Sequence, residues 1–67
     1  MPKIPKGYSK VGNNGEGDVY YNGKDYISPD KEGHKGGVWK RAKTREGLNG
    51  EKTRMGTYDA NLNRVAD

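Results

Sequence analysis

Asp30, Glu32 and His34 stand at alternate positions of the run Pro29-Asp30-Lys31-Glu32-Gly33-His34-Lys35-Gly36-Gly37, and Lys40 and Arg41 follow shortly after. His34 is the only histidine in the chain and Trp39 the only tryptophan. On an extended segment, residues at i, i+2 and i+4 share one side. Two carboxylates, an imidazole and a pair of cations brought together are the groups that cleave RNA without a metal. That reaction needs a base for the ribose 2′-hydroxyl proton and an acid for the departing 5′-oxygen. It also needs positive charge around the pentavalent phosphate. Histidine titrates near neutrality and serves in either proton role, with a neighbouring carboxylate to orient it. Taken alone, the same run fits a solvated turn, and a lone surface histidine is more often inert than catalytic. The rest of the chain has to decide.

Charge is the first discriminator. The chain of 67 residues has a formal charge of +4 and a pI near 9.4, which points to a polyanion or an acidic protein as partner. The charge is segregated. Residues 12–34 carry two lysines against Glu16, Asp18, Asp25, Asp30 and Glu32, whereas residues 35–54 carry seven bases against Glu46 and Glu51. Lys35, Lys43, Arg45, Lys52 and Arg54 are therefore the candidate phosphate contacts. Trp39 is a core residue by its type, with base stacking as the alternative.

Other chemistries are poorly supplied. With no cysteine there is neither a disulfide nor a thiolate zinc site. The lysines around Asp30, Glu32 and His34 would compete with a divalent cation, and no metal or other cofactor is expected. Gly12-Asn13-Asn14-Gly15 is followed by acids rather than by Gly-Lys-Ser/Thr, so it is no phosphate loop. No apolar stretch approaches the length of a membrane span.

The elements that must position these groups are short strands. Only 28% of the residues are hydrophobic and 11 are glycine, so a single thin-cored domain is expected, built around five tyrosines and the tryptophan. Residues 1–7, with two prolines, read as an extended N-terminal arm at the edge of an excised domain, and residues 8–67 as the domain itself. A strand around Tyr8–Val11 is expected to stop at the Gly12–Gly17 turn cluster. Asp18–Tyr21 and Lys24–Ile27 flank Asn22-Gly23, which predicts a type I′ hairpin. Gly37–Ala42 reads as the next strand, with Val38 and Lys40 on one side and Trp39 and Arg41 on the other. Residues 44–50 read as a loop, Thr53–Tyr58 as a strand, and Leu62–Val65 as a last strand. Glycine recurs too often for a useful helix. The expected fold is all-β: a small twisted antiparallel sheet of about four to five strands.

Four ordered blocks now carry a resemblance: Tyr21-Asn22-Gly23-Lys24-Asp25-Tyr26-Ile27-Ser28-Pro29-Asp30, His34-Lys35-Gly36-Gly37-Val38-Trp39-Lys40, Thr53-Arg54-Met55-Gly56-Thr57-Tyr58-Asp59, and Leu62-Asn63-Arg64. Across residues 8–67 they resemble the C-terminal toxin domains of bacterial polymorphic toxins, the tips of contact-dependent growth inhibition proteins in the group called bacterial toxin 21. More distantly the chain resembles the cytotoxic domain of the ribosomal-RNase E colicins, which has Gly-Ser-Phe-Asp where Gly56-Thr57-Tyr58-Asp59 lies here. The resemblance implies cleavage of 16S ribosomal RNA at the decoding centre of a competitor's ribosome, and a cognate immunity protein, acidic in character. It also implies a secreted or cell-surface parent protein whose tip acts in the target-cell cytoplasm. Carried over residue by residue, it implies an active site of Asp30, Glu32, His34 and Arg41 with Lys40 beside it. The toxin group more often has aspartate at the Glu32 position, and the colicin domain has glutamate where Val38 stands. Two other readings fit the basic face: a non-catalytic SH3-like RNA- or ribosome-binding module, and an RNase toxin acting on tRNA.

Overall fold

Every apolar run of the sequence becomes a strand, and the connections are short enough that each strand pairs with its chain neighbour. The computed structural model describes residues 3–15, 17–31, 33–50 and 53–66. Six strands, β1 (Ser9–Asn13), β2 (Asp18–Tyr21), β3 (Tyr26–Pro29), β4 (Trp39–Ala42), β5 (Arg54–Tyr58) and β6 (Arg64–Ala66), form one antiparallel sheet in chain order. Short 3₁₀ turns at His34–Gly36 and Glu46–Asn49 interrupt two connections, and there is no α-helix among the described residues. The all-β class is as expected, with six strands rather than four to five.

Two local departures have physical reasons. The first strand does not stop at Val11: a bulge between Lys10 and Gly12 absorbs Val11, so that Gly12 still pairs with Val19 and Asn13 with Asp18. The Asn22-Gly23 connection is not a two-residue turn. Asn22 Oδ1 accepts hydrogen bonds from the Lys24 N–H (2.8 Å) and the Asp25 N–H (2.6 Å), which closes a four-residue loop around the side chain. Strand β3 therefore starts at Tyr26, opposite Tyr21, and Asp25 is turned inward to 1% exposure.

The pairing register sorts side chains onto two faces. Tyr20, Ile27, Trp39 and Tyr58 form a buried cluster on one, covered by Ile4, Tyr8, Val38 and Leu62. Trp39 is fully buried and meets Tyr20 edge to face, with ring centroids 5.7 Å apart. Val38, expected on the side of Lys40, packs instead against this cluster, because β4 begins only at Trp39 and the strict alternation begins there too. The other face has a smaller cluster of Val19, Ala42 and Leu48, with Tyr26 against it. Leu48 comes from the 46–49 turn, which lies against β3, β4 and β5. A second bulge, in β5, is built on Gly56 at φ +106°. A Cβ there would lie 2.6 Å from Arg64 Nε and 2.8 Å from the Ala66 carbonyl oxygen, so only glycine allows β6 to come this close.

Candidate active site

Alternation along β4 sends its two cations to opposite faces. Lys40 is directly opposite Ser28 on β3 and Thr57 on β5, on the face away from Trp39. These three polar residues are 7%, 0% and 6% exposed. A lysine ammonium this far from water is costly unless the site supplies polar company. Here a hydroxyl stands on each side, and the Ser28 hydroxyl has no hydrogen-bond partner among the described residues. A buried cation set beside two hydroxyls makes Lys40 a candidate contact for an anion.

Asp30 stands two residues beyond Ser28. Its N–H donates to the Val38 carbonyl at 2.9 Å, which continues the β3–β4 ladder one step past Pro29 and sets Asp30 diagonal to Lys40. The chain then folds back on itself. Gly33 N–H donates to the Asp30 carbonyl (3.3 Å), and Gly36 N–H to the Gly33 carbonyl (3.1 Å). Gly33, Lys35 and Gly36 all take positive φ, at 59°, 49° and 77°. Lys35 is the unusual member, since a side chain in this region is strained and such strain concentrates at functional loops. Glu32 and the side chain of His34 lie outside the described residues. The backbone places His34 at the start of the 34–36 turn, which packs against β6.

Arg41 takes the other face. Its guanidinium Nη2 donates to the buried Asp25 carboxylate, and it lies over the Tyr58 ring at 5.4 Å from the centroid. The hydrogen bond to Asp25 holds the Arg41 proton more tightly than usual, against an opposing effect of burial. Burial raises the pKa of the nearby Tyr8 phenol, with the positive charge of Arg41 pulling the other way. The structure thus sets Asp30 and Lys40 at neighbouring steps of the β3–β4 ladder and holds Arg41 on the opposite face.

The remaining expected contacts are scattered. Lys35, Lys43 and Arg45 are exposed, and Arg54 is half-buried opposite Ala42 on the Lys40 face. Lys52 lies outside the described residues. Trp39 is fully buried, which leaves no ring surface for a base. The sequence gives Ser28, Thr57 and Asp25 no role in the site. The first two could have been found by extending alternation across the paired strands, which puts two hydroxyls beside Lys40. No helix among the described residues is long and apolar enough to cross a membrane.

The candidate site is thus a buried lysine between two hydroxyls on a small basic β-sheet, with an acid just past the end of the adjoining strand. Residues 3–67 match the model of Novel toxin 21, and the chain belongs to that family of toxin domains. It is also similar to the 16S rRNA endonuclease CdiA of Enterobacter cloacae subsp. cloacae, with 36% identity over 66 residues. That match takes in 97% of this chain but spans only 2% of the much longer relative. No solved structure matches the chain.

Proposed function

We propose that this domain is an endoribonuclease that cleaves 16S ribosomal RNA in the decoding centre, as the tip of a larger toxin acting in the cytoplasm of a target bacterium. The observation that carries the reading is Lys40, buried between Ser28 and Thr57 with Asp30 diagonal to it. The name of the similar CdiA protein supports the choice of substrate.

Cleavage proceeds by transfer within the RNA and uses no metal. A base takes the proton from a ribose 2′-hydroxyl, the 2′-oxygen attacks the adjacent phosphorus, and the P–O5′ bond breaks. An acid returns a proton to O5′, leaving a 2′,3′-cyclic phosphate and a free 5′-hydroxyl. His34, Asp30 and Glu32 divide the two proton roles. Lys40 lies where charge gathers on the phosphorane, in a site dry enough for that charge to count. Lys35, Lys43, Arg45, Lys52 and Arg54 hold the RNA backbone. Arg41 serves this site through β4, with its charge engaged by Asp25. An acidic cognate immunity protein, complementary to the basic half of the chain, protects the producing cell.

The test is expression in bacteria followed by electrophoresis of total RNA with and without EDTA. A discrete small-subunit rRNA fragment that persists in EDTA, ends in a cyclic phosphate and vanishes in a folded Lys40→Ala variant is the expected result. Shortened tRNA redirects the assignment of substrate. Intact RNA in healthy cells overturns the enzymatic reading in favour of a binding module.

A further inference from the structure

We propose that Tyr21 and Arg45 form a subsite for one unpaired nucleotide beside the cleavage site, the base stacking on the Tyr21 ring and its phosphate meeting the Arg45 guanidinium. The inference rests on the RNA-cleavage reading and adds the place where a flanking nucleotide is held.

Ser9, Tyr21, Tyr26, Ala42 and Arg54 form one continuous cross-strand row, each opposite the next. The row lies on the Lys40 face, two residues along the strands from the Ser28–Lys40–Thr57 row, or about 6.8 Å. Tyr26 is anchored against the Val19, Ala42 and Leu48 cluster. Tyr21 stacks on it, with ring centroids 4.3 Å apart and planes at 23°. The other flank of Tyr21 is Ser9, an exposed residue with only a hydroxymethyl group. The half-buried Tyr21 ring is therefore backed by a second ring, and the flank on which a third ring would continue the stack carries only the small Ser9 side chain.

The cation is placed just as specifically. Gly12 lies on β1 opposite Val19, and a Cβ at Gly12 would overlap the Arg45 guanidinium. The absence of a side chain at Gly12 is what lets Arg45 lie on the sheet, in the row next to Tyr21. Arg45 is exposed and has no ion-pair partner among the described residues, and the exposed Lys43 follows Ala42 just past the end of β4. An open aromatic surface beside a free guanidinium fits a base and its phosphate, and accepts any base because every base has a π-face. Holding that nucleotide unstacks it from its neighbour and presents the adjoining phosphate to Lys40.

The test uses steady-state cleavage of purified small ribosomal subunits, together with binding of a single-stranded oligoribonucleotide. Tyr21→Leu keeps bulk but removes the π-face, and Ser9→Leu covers the ring from an exposed position. Each is expected to raise KM and the oligoribonucleotide Kd about tenfold with kcat little changed, whereas Tyr21→Trp keeps wild-type values. Arg45→Gln weakens binding and reduces its salt slope by about one. Folded Tyr21→Leu and Ser9→Leu proteins with wild-type KM and Kd overturn the subsite, as does a loss confined to kcat. If the wild-type protein leaves subunit RNA intact, the cleavage reading fails on its own. The subsite is then judged by the oligoribonucleotide alone, and equal binding by wild type and Tyr21→Leu rejects it.

Discussion

The two faces of the sheet treat charge in opposite ways, though the same four residues of β4 serve both. On the Trp39 face the charged pair, Asp25 and Arg41, is closed on itself and set among aromatic rings. On the other, Lys40 is held between two hydroxyls. Neighbouring residues of one strand thus divide by parity: Trp39 and Arg41 belong to the aromatic face, while Lys40 belongs to the face on which we propose the chemistry takes place. Burial alone does not mark the site, because both faces bury charge. What distinguishes the two faces is the company each cation keeps: a carboxylate and an aromatic ring for Arg41, a hydroxyl on either neighbouring strand for Lys40.

The sharpest break in this comparison comes from Lys40→Ala and Asp30→Ala. Each is expected to lower the cleavage rate by about 10²–10⁴-fold, while the thermal unfolding midpoint stays close to wild type. A parallel loss of stability would move these residues to the structural class. Trp39→Ala should do the reverse. Emptying so large a buried site costs about 3–5 kcal/mol, most of what a small domain possesses, so urea unfolding should show a largely unfolded population. Asp25→Ala leaves Arg41 facing a buried gap and is expected to cost about 3 kcal/mol. The double variant Asp25→Leu/Arg41→Met should recover most of that stability, and with it the activity. A folded but inactive double variant would place Arg41 in the chemistry after all.

The smallest effect lies outside both faces. Asp59 Oδ1 accepts the Asn61 and Asn63 N–H groups, each at 2.9 Å, and closes the turn from β5 to β6. The hydrogen bond from Asn63 is the main reason its carboxyl ionises more readily than usual. A pKa lowered in the folded state adds stability above the ordinary carboxylate range near 4 and loses it as pH falls through the folded value. Melting curves from neutral pH down to about 3 should show wild type losing an increment that Asp59→Asn lacks throughout.

Much of this was legible beforehand, for identifiable reasons. The opposition of Lys40 to Trp39 and Arg41 follows from strand alternation and is found in the structure. The all-β class follows from glycine spacing and the aromatic runs. What alternation could not convey is the pairing of Arg41 with Asp25, because Asp25 becomes a buried residue only when Asn22 closes a longer loop than its sequence suggests. Ser28 and Thr57 were obscure because a hydroxyl acquires meaning only when the register sets it beside Lys40. Trp39 reads from its type as a core residue with base stacking as the alternative, and its full burial bears out the first and removes the second.

The order of the strands has a mechanical consequence. All five pairings join chain neighbours, and β1 and β6 are the two edges of the sheet. A pull on the segment before β1 or after β6 therefore loads one edge ladder at a time, breaking hydrogen bonds in sequence as a zipper opens. It does not have to shear a central strand out whole. The domain can be threaded out from either edge at modest force, and because all its pairings are local it re-forms quickly once released.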